Sequence, residues 1–471
     1  MLSRRRQMGM GAAALVAGLA LRVWFIVHAA QIDGDTLIYG DIAKNWMLHG
    51  VYGYVQTAAG SVPTLIRLPG YPLFLLLCFR VFGVDHYTAV MGVQAVADLA
   101  TCVLAAALAR RRFGGKGGMA TLWLGALCPF MANYVASPLT ETLSLLCVAL
   151  AFYGLERWRE AGARWNRWVW VTGFALAYAV LLRPEQGLLA AAVVPAMLWL
   201  AWKKNGAEGR MAALAPVAAA ALCVVLPLAP WTVRNWRTFH VFEPLAPRYA
   251  TDPGEPAPLG FQRWFRTWAI DYASSEDVYW NYDGAPIEIG NLPSRAFDTE
   301  EQYVQTEQLL EEYNQNFNPT AERDARFEAL AEERIKADPL RYYVALPVAR
   351  VVNMFLRPRT ELMGVELEWW KWSEDHAQTA FATAYAGLNL GYFVLGGVGF
   401  WVWRRRGFGG EVVLGWAMMG FVVLRCALLL TVDNSEPRYT LEFFPVIVVW
   451  AAVVFSQGEG VRDVSESRLE A

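Results

Sequence analysis

Apolar residues along this chain come in long unbroken runs, not in alternation. The runs recur over 7–230 and again over 378–456, and a helix needs about 20 such residues to cross a bilayer. The pattern predicts an all-α polytopic membrane protein, a bundle of about ten transmembrane helices. Its spans fall at 7–30, 89–109, 117–136, 139–156, 168–183, 187–202, 211–230, 378–403, 411–432 and 441–456. Two further apolar pieces, "PGYPLFLLLCFRVFG" (69–83) and "YYVALPVARVVNMFL" (342–356), reach only about fifteen residues each. Too short to span, they are read as interfacial or re-entrant helices on the outer side.

Lys and Arg gather on cytoplasmic loops near span ends. The clusters Arg4–Arg6, Arg110–Arg112 with Lys116, Arg157–Arg167, Lys203–Arg210 and Arg404–Arg406 all face inward if both termini are cytoplasmic. The start, "MLSRRRQMGMGAAALVAGLALRVWFIVHAA", then reads as a retained signal anchor, its apolar stretch being too long for a cleaved signal. Outside lie 31–88, the turns near 137–139 and 184–186, 231–377 and 433–440. The expected organisation is a transmembrane core over 1–234 with an acidic first external loop at 31–88. An external region over 235–377 follows, and 378–471 holds the C-terminal spans and a short cytoplasmic tail. Within the external region "TEEQYVQTEQLLEEYNQNF" reads as one helix. "NPTAERDARFEALAEERIKAD" reads as a second, with Asn318 as its N-cap and Pro319 at its first position. Their repeated acids are read as a solvated face.

Composition narrows the class further. Only 18% of residues are charged, against about a quarter in soluble domains. A net charge of −2 gives no general reason to expect nucleic acid as a partner; the bilayer itself is the expected one. All six cysteines sit inside apolar segments with no CxxC among them, so neither disulfides nor a cysteine metal site is indicated.

The candidate chemistry lies in polar residues at the outer ends of spans. "GDTLIYGDIAKNW" (34–46), stepped as a helix, puts Asp35, Tyr39, Ile42 and Trp46 within about 60° of one another. Asp33 and Asp41 point elsewhere. Asp35 alone shares the apolar stripe, where burial suits a carboxylate to proton transfer. The competing reading is that Asp33 or Asp35 caps the helix. "ASPLTETLSLL" sets Glu141 in the first turn of a span, where the helix dipole also favours an anion. "LLRPEQGLL" brings Arg183 and Glu185 to the next outer turn, "APWTVRNWRTF" brings Arg234 and Arg237, and "DNSEPRYTLEFFP" brings Glu436, Arg438 and Tyr439.

Three charges lie deeper, and intramembrane charges face the bundle interior or a cavity. Arg22 and Asp98 fall at nearly the same depth and are expected to pair. Arg425 stands about 20 Å along its span with no evident partner in sequence, and is a candidate ligand contact. Trp264, Trp268, Trp369, Trp370 and Trp372 serve either as sugar-stacking platforms or, the favoured reading, as an interfacial belt.

The stretch "GDTLIYGDIAKNWMLHGVYG" followed by "PTLIRLPGYPLFL" resembles the first external loop of GT-C glycosyltransferases, with "SPLTET", "LLRPE", "PWTVRNWRTFHVFEP", "GFQRWFRTW" and "EPRYTLEFFP" as further shared elements. The resemblance is to bacterial members of the protein O-mannosyltransferase and lipid A aminoarabinose transferase group, and it runs over roughly 20–450. That resemblance implies a polyprenyl-phosphate-linked sugar as donor, transfer with inversion, and a site on the outer face of the bacterial cytoplasmic membrane. It further implies Asp35 as catalytic base, Glu141 as the second acidic position, Arg67 as a cation near the lipid phosphate, and Arg438 with Tyr439 as the RY element. Arg234 joins Arg67 and Arg438 as a candidate for the donor phosphate; Tyr39, Arg183, Glu185 and Arg425 are candidate substrate contacts. The chain has Asp35-Thr36 where eukaryotic relatives have Asp-Glu, and lacks both their inserted domain and the C-terminal soluble domain of the aminoarabinose enzyme. The sugar and the acceptor (glycan, lipid or protein) therefore stay open.

Cations can stabilise a departing phosphate and one carboxylate can take the acceptor proton, so a reaction without metal or other cofactor is expected. A transporter or lipid flippase would share the spans and buried charges, but neither repeated halves nor broken mid-membrane helices are evident. An oligosaccharide ligase or polymerase would share donor and face.

Overall fold

The computed structural model describes residues 4–55, 60–204, 210–282, 284–371 and 375–456. Trp372, much of the Lys203–Arg210 cluster and the tail 457–471 lie outside the described residues. In chain order the elements begin with α1 (Arg4–His28), α2 (Asp35–His49), the antiparallel pair β1 (Gly53–Val55) and β2 (Ser61–Pro63), and α3 (Gly70–Phe82). Next come α4 (Tyr87–Ala126), α5 (Pro129–Asn133), α6 (Glu141–Glu160), α7 (Arg167–Leu182), α8 (Gly187–Lys204), α9 (Arg210–Val225) and α10 (Leu228–Phe239). The long polar region holds α11 (Leu259–Arg266), a single turn α12 (Tyr272–Ser274), α13 (Glu300–Asn314), α14 (Ala321–Ala337) and α15 (Leu346–Leu356). The chain closes with α16 (His376–Arg405), α17 (Val412–Leu429) and α18 (Phe444–Phe455).

Seven helices among the described residues are long and apolar enough to cross a membrane by length and composition. This is a multi-pass, mostly helical membrane protein. The ten expected segments fall largely on helices, but the two over 89–136 share one long helix, α6 carries several charges in its last turns, and α7 has only 16 residues.

The long helix is in fact a hairpin. Gly114 breaks α4 with φ 76° and ψ −171°, a conformation open to glycine alone. The second arm then runs back along the first, because a Cβ added at Gly125 would lie 3.2 Å from Cys102 Sγ. Arg22 of α1 locks the two arms. Its Nε donates to Asp98 Oδ2 of the first arm at 2.7 Å, and its Nη1 donates to the Ala126 carbonyl at the end of the second arm at 2.6 Å. Both charged side chains are fully buried. The expected pair is present, and the guanidinium also satisfies carbonyls that a helix C-terminus leaves orphaned.

Arginines of two of the basic clusters join an ion-pair network at the C-terminal end of α6. Buried Glu156 receives Arg112 at 2.6 Å and both Nε and Nη2 of Arg159, while Glu160 receives Arg111 and Arg157. Glu141 opens the same helix, about 22 Å away at 1.5 Å per residue.

The chain divides into two compact units: Met1–Pro253 with Gly391–Val422 and Leu441–Ala471, and Gly254–Leu390 with Val423–Thr440. In the first unit α3 is a short helix with two characters. Tyr71, Leu75 and Phe79 are buried, while Leu73, Leu77 and Val81 stay open at helical spacing. Its start docks against the end of α7: Tyr178 Oη donates to the Gly70 carbonyl, and a Cβ at Gly70 would sit 2.5 Å from the Leu181 carbonyl oxygen. Gly70→Ala is therefore expected to force the two helices apart and lower stability by about 1–3 kcal/mol, the range for overpacking, as measured by thermal unfolding in detergent.

In the second unit α11 packs on α14 around Phe261, Trp264, Phe265, Trp268, Tyr313 and Phe327. Asp324 anchors the crossing by accepting from the Gly260 and Phe261 amides at 3.0 and 2.9 Å. Two expectations are corrected here. Trp264 and Trp268 are each 1% exposed and form this core, so they are neither a belt nor a sugar platform. The second acidic helix opens at Ala321, capped by Thr320, whose hydroxyl accepts from the Arg323 amide, and not by Asn318. Trp370 is half exposed and stacks edge-on against Trp369.

Candidate functional site

In the first unit the site grows from α2. Its N-cap is Gly34 with no side-chain cap bond, so neither Asp33 nor Asp35 caps this helix. Tyr39 and Ile42 are buried, Trp46 is half-buried, and Asp35 lies at the start of the same stripe with its carboxylate 24% exposed. Asp33 is exposed. Asp41 is a local strut: its Oδ2 accepts from the Val55 amide of β1 at 2.8 Å.

Asp35 meets Arg67. The guanidinium Nη2 donates to Asp35 Oδ1 at 2.6 Å, and its carbon stands 5.7 Å from the Tyr39 ring centre, a cation–π contact. The Arg67 backbone is held by Tyr52, whose hydroxyl donates to its carbonyl at 2.9 Å. Arg234 holds the same segment from the other side, its Nη atoms donating to the Thr64 and Tyr52 carbonyls at 2.7 and 2.6 Å while Tyr52, Trp231 and Phe239 surround it. Arg234 thus braces the loop that carries Arg67.

A second pair lies nearby. Glu141, 1% exposed at the first position of α6, accepts from Arg183 Nη1 at 2.7 Å, and Arg183 Nε bonds Glu185 in turn. Both pairs act on one phenol. Burial pushes Tyr39 up to about 12; Arg67 pulls it down, Asp35 pushes it further up, and Arg183 and Glu141 oppose each other in the same way. The phenol is protonated at neutral pH. Tyr39 also meets Tyr71 edge-on at 5.1 Å. Tyr71 Oη donates to buried Gln94 at 2.7 Å, and Gln94 donates to the Val135 and Ser137 carbonyls just ahead of Glu141. The pairs come together because α2 packs on α3, α3 on α7 and α6 on α7.

In the second unit Arg438 pairs with Glu436 and lies 5.9 Å from the Tyr439 ring. Arg425, 1% exposed, donates through Nη2 to the Tyr439 carbonyl at 3.0 Å. The expected partnerless arginine has found a backbone partner within the RY segment.

Sequence reading passed over several side chains. Arg359, 2% exposed, bonds Asn389 and the Pro437 carbonyl at 3.0 and 2.9 Å and also bonds Thr440. Glu442 of the first unit is fully buried and accepts from buried Gln186 at 3.1 Å. A carboxylate inside "TLEFFPVIVV" was the available signal for the latter, since ionisable groups in apolar runs are rare. Gln94 and Gln186 gave no such sign. Among the described residues no three His, Cys, Asp or Glu side chains gather as metal ligands would.

In this multi-helix membrane protein, two carboxylates paired with arginines around one phenol form the candidate site. Residues 62–231 match the family of dolichyl-phosphate-mannose-protein mannosyltransferases, which bears out the resemblance seen in the sequence. Two solved structures are similar at 14% identity, both of ArnT from Cupriavidus metallidurans. The form bound to undecaprenyl phosphate has a TM-score of 0.35 over 96% of this chain and 78% of that one; the apo form has 0.33 over 91% and 77%. Among curated proteins none matches.

Proposed function

We propose that this protein moves a sugar from a polyprenyl-phosphate-linked donor to an acceptor hydroxyl at the outer face of a bacterial cytoplasmic membrane, with both termini on the cytoplasmic side. The observation that carries the reading is the Asp35–Arg67 pair at 2.6 Å over Tyr39, beside the region that matches a lipid-phosphate-sugar-dependent family. Asp35 takes the proton of the acceptor hydroxyl as its oxygen attacks the anomeric carbon. The bond from that carbon to the phosphate oxygen breaks on the opposite face, so the configuration inverts and polyprenyl phosphate leaves. Arg67 meets the charge growing on the phosphate, the kind of transition-state stabilisation that fixed cations supply. Glu141 and Arg183 orient the sugar or acceptor, with Glu185 supporting. The arginines supply the charge stabilisation, so no metal is required.

The test is reconstitution. Purified protein in proteoliposomes, given polyprenyl-phosphate sugars and outer-face acceptors, is expected to release polyprenyl phosphate with a chelator present. Movement of the lipid across the bilayer without loss of its sugar would replace this reading with a transporter.

A further inference from the structure

We propose that Asp35 is an internal competitor for the anion site on Arg67, so that the donor phosphate releases the base as it binds. This rests on the lipid-phosphate reading above. A guanidinium offers its N–H groups in a fixed fork, and a phosphate engages two of them in parallel. Of the two terminal nitrogens of Arg67, Nη2 bonds Asp35 Oδ1 at 2.6 Å and Nη1 faces the Ile66 carbonyl at 3.3 Å. A phosphate docking on that terminal pair competes with the carboxylate for Nη2.

The exchange makes and breaks no covalent bond. Arg67 changes anion, and Asp35 keeps its charge but loses the cation that favours its ionised form. A carboxylate relieved of such a cation is the better proton acceptor. Both side chains are reachable, 21% and 24% exposed. Arg183 is a poorer place for this exchange: it is held by two carboxylates, one of them 1% exposed. The exchange places donor binding before acceptor activation.

Equilibrium binding of undecaprenyl phosphate to the full-length protein in nanodiscs tests the idea. Asp35→Asn and Asp35→Ala are expected to bind roughly three- to tenfold more tightly than wild type, the scale of a partly exposed charge-assisted hydrogen bond. In an Arg67→Ala background the gain should vanish, as a double-mutant cycle requires for a direct pair. Equal or weaker binding by the Asp35 variants overturns the inference, and so does a gain that survives Arg67→Ala. If wild type binds and the variants match it, only this inference falls. If no form binds the lipid, the donor reading falls with it.

Discussion

Asp35→Asn is expected to slow sugar transfer about 10²–10⁴-fold, the usual worth of a positioned general base, while donor binding persists. The amide keeps the size of the carboxylate and still offers an oxygen to Arg67, but it cannot accept the acceptor's proton. Asp41→Asn is the matched control. Its role is to accept from the Val55 amide, which an amide oxygen also does, so its rate should stay near wild type. A capping role for Asp35 would have predicted an active Asn variant, because Asn caps about as well as Asp; the N-cap is instead Gly34. Turnover with saturating donor is the measurement. A near-normal rate in Asp35→Asn removes the base assignment. If Asp35 also competes for Arg67, the variant's lower rate comes with a lower apparent KM for donor, a combination that lost folding would not produce.

Asp98→Ala is expected to cost about 3–5 kcal/mol of stability, the range for removing one partner of a buried pair. Arg22 would be left without its carboxylate between α1 and the two arms of α4, where neither side chain touches solvent. The penalty belongs to the stranded charge and not to the loss of an attractive pair. Replacing both, Arg22→Met with Asp98→Leu, should therefore recover most of the loss. Thermal unfolding of the single and double variants in detergent decides this. A double variant no more stable than Asp98→Ala would place the cost in the carbonyl contacts of Arg22 with Gly18 and Ala126, and a neutral Asp98→Ala would end the argument.

Much of the architecture was legible because it is local. Apolar run length marks helices that must bury their backbone bonds within themselves. Helical periodicity puts Asp35, Tyr39 and Ile42 on one stripe of α2. Even the Arg22–Asp98 pair follows from two charges at equal depth that have no cheaper alternative. The capping of α14 was misread by two residues because Asn318 and Thr320 are both good caps, and only the path of the chain chooses between them.

Which arginine meets which carboxylate was not legible. Arg67 and Asp35 are 32 residues apart, and Arg183 and Glu141 are 42; the first pairing depends on how α2 packs on α3, the second on how α6 packs on α7. Nor was it legible that Arg234 would sit among three aromatic rings and bond two carbonyls. Trp264 and Trp268 share their composition with interfacial residues, and their burial against α14 makes them core. The sequence alone determined the membrane class, the helices and the stripe that carries Asp35, since these depend on neighbours a few residues away. The tertiary structure alone decided the ion pairs around Tyr39, because a charge's partner is chosen by packing distance, which no local pattern records.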